Sequence, residues 1–394
     1  MRKSLPMDAE LPDPRVRTTR TDTRWQPVIE RIESSLAATS AAAAAADDDA
    51  IDRAITGALD APPGDGARDD GRATLAALFD AAPSPVAYRH LWRRLTQVMS
   101  VAAPRGRESV AVTLFAIPLV IVTGREEGEA AVQLPGTLVD AAAIADLLRA
   151  HDALAGVRNF ALANALVQAS AIDVDALPRL RGASAVAFAE GAAPLDLAPS
   201  SIAVPPGESV HLRFLVGSAL TAPGVRLFDG VAVGDWAMPL AKMLGAALAT
   251  EGATVLVLPR APSSLPQALL AGKLAQREVS AQLFMTNALR RMRASVGEPT
   301  AIISAHRLDN GDGELRLSLS SPFSPRDAEG FRCPLFAFER VGDAATMLDE
   351  LLRDCRVTDM RIEPGVHGDR DPGTGLTLLF KPPPLSPDRP RRPG

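Results

Sequence analysis

Cysteine is nearly missing: Cys333 and Cys355 are the two in 394 residues. That is too few for a disulfide framework, and neither a Cys-x-x-Cys pair nor a zinc spacing occurs, so a reducing compartment is the simple expectation. Aromatics make up only 4% of the chain, which leaves little for the stacking platforms of single-strand nucleic-acid binders. A formal net charge of −5 points the same way, because dedicated nucleic-acid proteins carry a strong basic excess. Long apolar runs are absent too. The longest uncharged one, 110–124, is interrupted by Pro118 and falls short of the roughly 18 residues a membrane span needs. The start of the chain has no apolar core of a secretory signal. A cytoplasmic protein without membrane contact is therefore expected.

The standard catalytic signatures are also lacking. No Gly-x-Ser-x-Gly elbow, Walker A loop or Gly-x-Gly-x-x-Gly fingerprint is present, and no cofactor or metal is expected. What remains is an ordinary globular composition, 47% apolar and 23% charged, able to bury a sizeable core.

Residues 1–24 read as a polar, basic, disordered tail, and 382–394 as a Pro/Arg tail. Between them the expected fold is α/β or α+β, with mixed sheets and packed helices preceded by a helical N-terminal region, 25–103, holding a linker at 61–71. A helix from Trp25 is expected to run through the Ala41–Ala46 tract and stop at Asp47, Asp48 and Asp49, since acids oppose a helix C-terminus. Residues 110–122 are apolar and β-branched, as a buried strand should be. They open a first α/β unit, 104–206, in which 157–170 reads as strand or helix and 185–189 as strand. A second unit, 207–381, opens on Glu208-Ser209-Val210, one hundred positions after Glu108-Ser109-Val110, and the similar order of elements suggests a duplication. Toward its end Leu315, Leu317 and Leu319 alternate with Arg316, Ser318 and Ser320, which predicts one buried and one wet face. Strands are also expected at 334–339, 357–362 and 375–380.

Candidate sites are few. Arg277, Arg290 and Arg293 lie on an expected helix, 264–295, and form a candidate anion site, since arginine donates bidentately. The alternative is a set of structural ion pairs. His306 ends a strand and is a candidate general base without an identifiable partner. The run from His306 to Glu314 fails the calcium-loop spacing and reads as a hairpin turn. His367, Asp369 and Asp371 read as loop chemistry, and Gly230 to Asp235 as a helix entry with Asp235 as cap. Trp25, Val28, Ile29, Ile32 and Leu36 form an amphipathic stripe that could dock on a protein partner or on this chain's own body. The leading expectation is a non-catalytic interaction or assembly protein. The rival is an enzyme or binder for an anionic small molecule through Arg277, Arg290 and His306. Weak nucleic-acid contact through Arg89, Arg93 and Arg94 ranks last.

Overall fold

The computed structural model describes residues 11–15, 25–60, 75–99, 101–105, 108–126, 132–138, 140–154, 157, 159–189, 195–221, 233–295, 297–321 and 324–381. The expected linker at 61–71 and tail at 382–394 lie outside them, as do residues 1–24 apart from 11–15. The fold is α/β, with helices leading into mixed sheets. The chain divides into two compact units, 20–276 and 1–19 with 277–394. The boundary thus falls inside a helix, whereas the one expected at 206/207 falls between two strands of the first unit.

In the first unit, helices α1 (Gln26–Ala37), α2 (Ala41–Asp60), α3 (Leu75–Asp80) and α4 (Pro85–Val98) precede strands β1 (Val101–Arg105), β2 (Glu108–Arg125) and β3 (Val132–Leu134). Then come α5 (Ala141–Ala150), β4 (Asn159–Val167), α6 (Leu177–Ala189), β5 (Ile202–Val204), β6 (Gly207–Thr221), α7 (Gly234–Leu248), β7 (Thr254–Pro259), β8 (Ser263–Ser264) and α8 (Leu265–Ser295). Two expectations are corrected here. The Ala-rich stretch 185–189 continues α6 instead of forming a strand, as the helix preference of alanine allows. The N-terminal helix breaks before Ala41, and Asp47, Asp48 and Asp49 lie within α2. They are tolerated there because two of them have partners. Asp47 accepts from Arg31 (2.7 Å) and Ser34 (2.6 Å), and Asp48 accepts from Arg94 (3.0 Å) and Ser35 (2.7 Å).

The main sheet is antiparallel throughout, in the order β1-β2-β6-β4, with β7 and β8 along the other edge of β2. Leu114, Ala116, Phe214 and Val216 face α1 to α4, α6 and the start of α8. Phe115, Ile117, Leu119, Ile121 and Leu215 face α5 and α7. Both faces of β2 are therefore covered, which explains why an antiparallel strand reads as a continuous apolar run. Phe115 and Gly217 lie opposite each other, and a Cβ at Gly217 would sit 2.5 Å from the Phe115 ring and 2.7 Å from the Ala161 carbonyl. Only glycine lets those strands and that ring approach so closely.

Ala116 pairs with Val216 near the middle of the long β2–β6 ladder. Strand β4 pairs with β6, and β7 with β2. The two stretches read as successive α/β units are interlocked in one sheet.

The second unit contains the rest of α8, then β9 (Thr300–Arg307), β10 (Gly313–Ser321), β11 (Ser324–Pro334), α9 (Val341–Asp354) and β12 (Met360–Gly368). Its sheet runs β11-β10-β9-β12, with β12 parallel to β9 and the other pairs antiparallel. Leu315, Leu317, Leu319 and Ile303 meet Met285, Leu289, Leu348 and Leu352 of the two helices. Two expected strands are misplaced. Residues 335–340 follow the strand that Pro334 ends, and 375–380 form no strand beyond the bridge of Arg370 with Thr377.

Candidate functional site

The alternation along β10 does give two faces, but the second is not wet. Arg316 and Glu314 are 1% and 3% exposed, and Ser318 and Ser320 are fully buried. Arg316 donates to Glu314 (2.5 Å), to the Asp369 carbonyl (2.7 Å) and to the Asp369 carboxylate. Arg332 donates to both Glu314 oxygens at 3.0 and 2.9 Å. The hydrogen bond from Arg316 holds the Asp369 carboxyl below the usual carboxylate range. Two cations and two anions satisfy one another, which is how a buried face can carry charge. Leu379 lies against Gly330 and Phe380 against His306, so the segment after β12 helps cover this face.

His306 sits on the same face and is fully buried. Its Nδ1 lies 2.9 Å from the Gly368 carbonyl and its Nε2 2.9 Å from Ser304 Oγ. A carbonyl only accepts, so Nδ1 carries the proton and Nε2 accepts from the serine hydroxyl. The ring packs 5.4 Å from His367 and 5.8 Å from Phe380. Burial, aided by the charge on Arg316, pushes the His306 pKa down to about 4. The imidazole is thus a closed, neutral element of the core and not a base facing substrate. Its pKa is depressed on folding, so its contribution is complete above the unfolded value near 6.5 and is lost as pH falls toward 4. His306→Gln should therefore remove about 2–3 kcal/mol of the acid-induced loss between pH 7 and 4. Urea midpoints of both proteins at several pH values measure it, and parallel curves would contradict this environment.

The three helix arginines do not converge. Arg277 is buried and gives a bidentate ion pair to Glu339, with Nη1 also on the Pro334 carbonyl at 3.0 Å. Arg290 is exposed and reaches Asn287 at 3.4 Å. Arg293 engages Glu298 at 3.1 Å and the Cys355 carbonyl at 2.9 Å. His306 lies in the sheet, enclosed as described. No open pocket joins these groups among the described residues.

The N-terminal stripe is already occupied. Trp25, Ile29 and Ile32 are buried in the first unit's core, Val28 is partly buried against it, and α1 packs on α2 and α4. Burying each of the three is worth about 1.5–3 kcal/mol. Leu36 alone of the stripe stays exposed. Arg94 is likewise engaged, with Asp48 and Asp52, while Arg93 stays exposed.

The remaining motifs are structural. Gly311 adopts a positive φ in the turn after β9, and Asn310 and Asp312 hydrogen-bond each other at 2.7 Å. Asp371 accepts from the Gly373 and Thr374 amides at 2.8 Å. Asp235 lies in the first turn of α7, with Val233 at the cap position; residues 230–232 lie outside the described ones. Burial raises the thiol of Cys333 to about 12, which removes it as a nucleophile at neutral pH. In the first unit Ser209 and Thr123 lie 2.9 and 3.1 Å from His211 Nε2. Two hydroxyls meet one ring nitrogen there, and among the described residues no hydrogen bond orients the ring from Nδ1, as a catalytic dyad would need.

One surface feature remains open. Strand β7 pairs with β2 on one side and with no strand on the other among the described residues. It carries no charge from Thr254 to Pro259, and Leu256 is 55% exposed. Beside it a shallow groove of about 300 Å³ is lined by Gly245, Ala249, Thr250, Glu251, Ala253 and Val255. Sequence reasoning located the strand but not its edge, because pairing partners are not written in local patterning. No helix among the described residues is long and apolar enough to cross a membrane. A comparison with protein-family models finds no match, and none is found among curated proteins or solved structures.

Proposed function

We propose that this chain is a non-catalytic interaction or assembly protein that works by accepting an extended segment along β7. The observation that carries this reading is the uncharged edge, unpaired among the described residues, with Leu256 exposed on it. Edge strands that stay unpaired are normally blunted by charge, bulges or cover, and one without such protection offers main-chain donors and acceptors to another strand. The internal pairing of Arg277, Arg316, Glu314 and His306 supports the same reading, since it leaves those groups without a free valence for substrate. A photo-reactive residue at position 256 should crosslink to a protein, and the same residue at exposed Leu36 should not. Crosslinking from 36 alone would favour docking through α1 and overturn the edge reading.

A further inference from the structure

Away from β7, the second unit holds a short piece of the N-terminal region. Leu11 is partly buried against that unit's core, and Pro14 is buried. The Arg15 guanidinium donates to the carbonyls of Phe336 (2.7 Å) and Glu339 (2.9 Å), and Arg307 donates to the Pro14 carbonyl at 2.9 Å. Residues 11–15 belong to no helix or strand, so no main-chain ladder holds them. Gly313 begins β10 opposite Arg307 and has no left-handed backbone that would call for glycine. A Cβ there would instead sit 2.7 Å from Pro14 Cγ and 2.8 Å from Arg15 Cγ. The missing side chain makes the seat for Pro14.

Both partners are set before they meet. On the receiving side, the Glu339 amide closes a turn onto the Phe336 carbonyl at 3.0 Å, and the Leu335 amide donates to the Gly313 carbonyl at 3.0 Å. The Glu339 carboxylate is held by buried Arg277, so the two carbonyls that receive Arg15 are fixed from inside the unit. On the segment's side, Asp13 accepts from the Arg15 amide at 3.0 Å and from its guanidinium at 2.8 and 2.6 Å. Pro12 and Pro14 restrict their own φ and the residues before them. Little entropy remains to be lost on docking, the logic of proline-rich recognition. We infer that Arg307, Gly313 and the turn 336–339 form a binding site for extended Asp-Pro-Arg peptides, which residues 11–15 of the same chain fill as a tethered ligand. Leu11, four positions before the arginine, adds the apolar anchor. Tethering raises the local concentration of this ligand to about the millimolar range, so a weakly binding segment keeps its seat against dilute free competitors.

Fluorescence anisotropy of a labelled synthetic peptide, residues 9–17, tests this against the full chain. Arg15→Glu sets a carboxylate against the two carbonyls and should vacate the seat. The peptide should bind that variant with a Kd of about 1–100 µM and the wild type at least about ten-fold more weakly. A peptide that itself carries Arg15→Glu should not bind the vacated chain. Adding Arg307→Ala to the vacated chain should weaken the native peptide at least about five-fold, and adding Gly313→Val should abolish its binding. Arg307 is exposed, so its variant decides the matter if circular dichroism shows Gly313→Val unfolded. Absence of binding to the vacated chain, equal binding to the wild type, or indifference to Arg15 of the peptide or to Arg307 overturns the inference. Binding as expected, with position 256 capturing nothing, would leave this site standing and remove only the β7 reading.

Discussion

Glu339→Ala is expected to cost about 3–5 kcal/mol, because it strands a buried guanidinium. Arg277 and Glu339 are 6% and 5% exposed, their contact is bidentate, and the guanidinium also lies over the Phe336 ring at 5.1 Å. With Glu339 shortened, the Pro334 carbonyl is the one hydrogen-bond acceptor left to Arg277 among those described. Replacing both partners, as Arg277→Met with Glu339→Leu, should cost far less than the single change, since desolvation of the pair offsets much of its attraction. Urea denaturation of the three variants, with m values compared, measures this. A single substitution within about 0.5 kcal/mol of wild type would mean that the pair is solvated, contrary to its burial.

Arg316→Ala should be comparably damaging, again by about 3–5 kcal/mol. Glu314 would retain only Arg332, which is half exposed, and the Asp369 carbonyl and carboxylate would both lose their buried donor. Asp369 begins the segment that carries Leu379 and Phe380 over the sheet, so its release should also expose that segment. Arg316→Lys should recover little, because an ammonium cannot span Glu314 and Asp369 with a planar fork. Stability measurements give the first effect, and limited proteolysis between 369 and 381 gives the second. Unchanged cleavage in a destabilised Arg316→Ala protein would show that Arg316 does not hold that segment.

Much of the fold was legible because its signals are local. The apolar run around Pro118 and the helix 265–295 were both readable in place. What failed depended on what lies opposite. A wet face on β10 was a reasonable inference from an amphipathic pattern, and the α1 stripe left a partner and the chain's own body equally open, because a pattern shows where side chains point and not what meets them. Trp25, Ile29 and Ile32 meet α2 and α4, and Arg316 meets Asp369, more than fifty positions away. The candidate anion site could have been weakened from spacing alone. Thirteen residues at about 100° each carry Arg290 roughly 220° round the helix from Arg277, so the two cannot face one ligand. The β7 edge had no sequence signature, since its exposure follows from the order of strands in the sheet.

The state of that edge is the centre of the account, and residue-resolved hydrogen exchange on the purified full chain reads it directly. The Arg260 amide donates to the Pro118 carbonyl at 2.8 Å, and main-chain groups alternate sides along an antiparallel strand. The Leu256 and Leu258 amides therefore face β2 and should exchange slowly. The Val255 and Val257 amides should exchange at least about ten-fold faster than those two. Outward amides that are protected even when dilute would show an edge already covered within one chain.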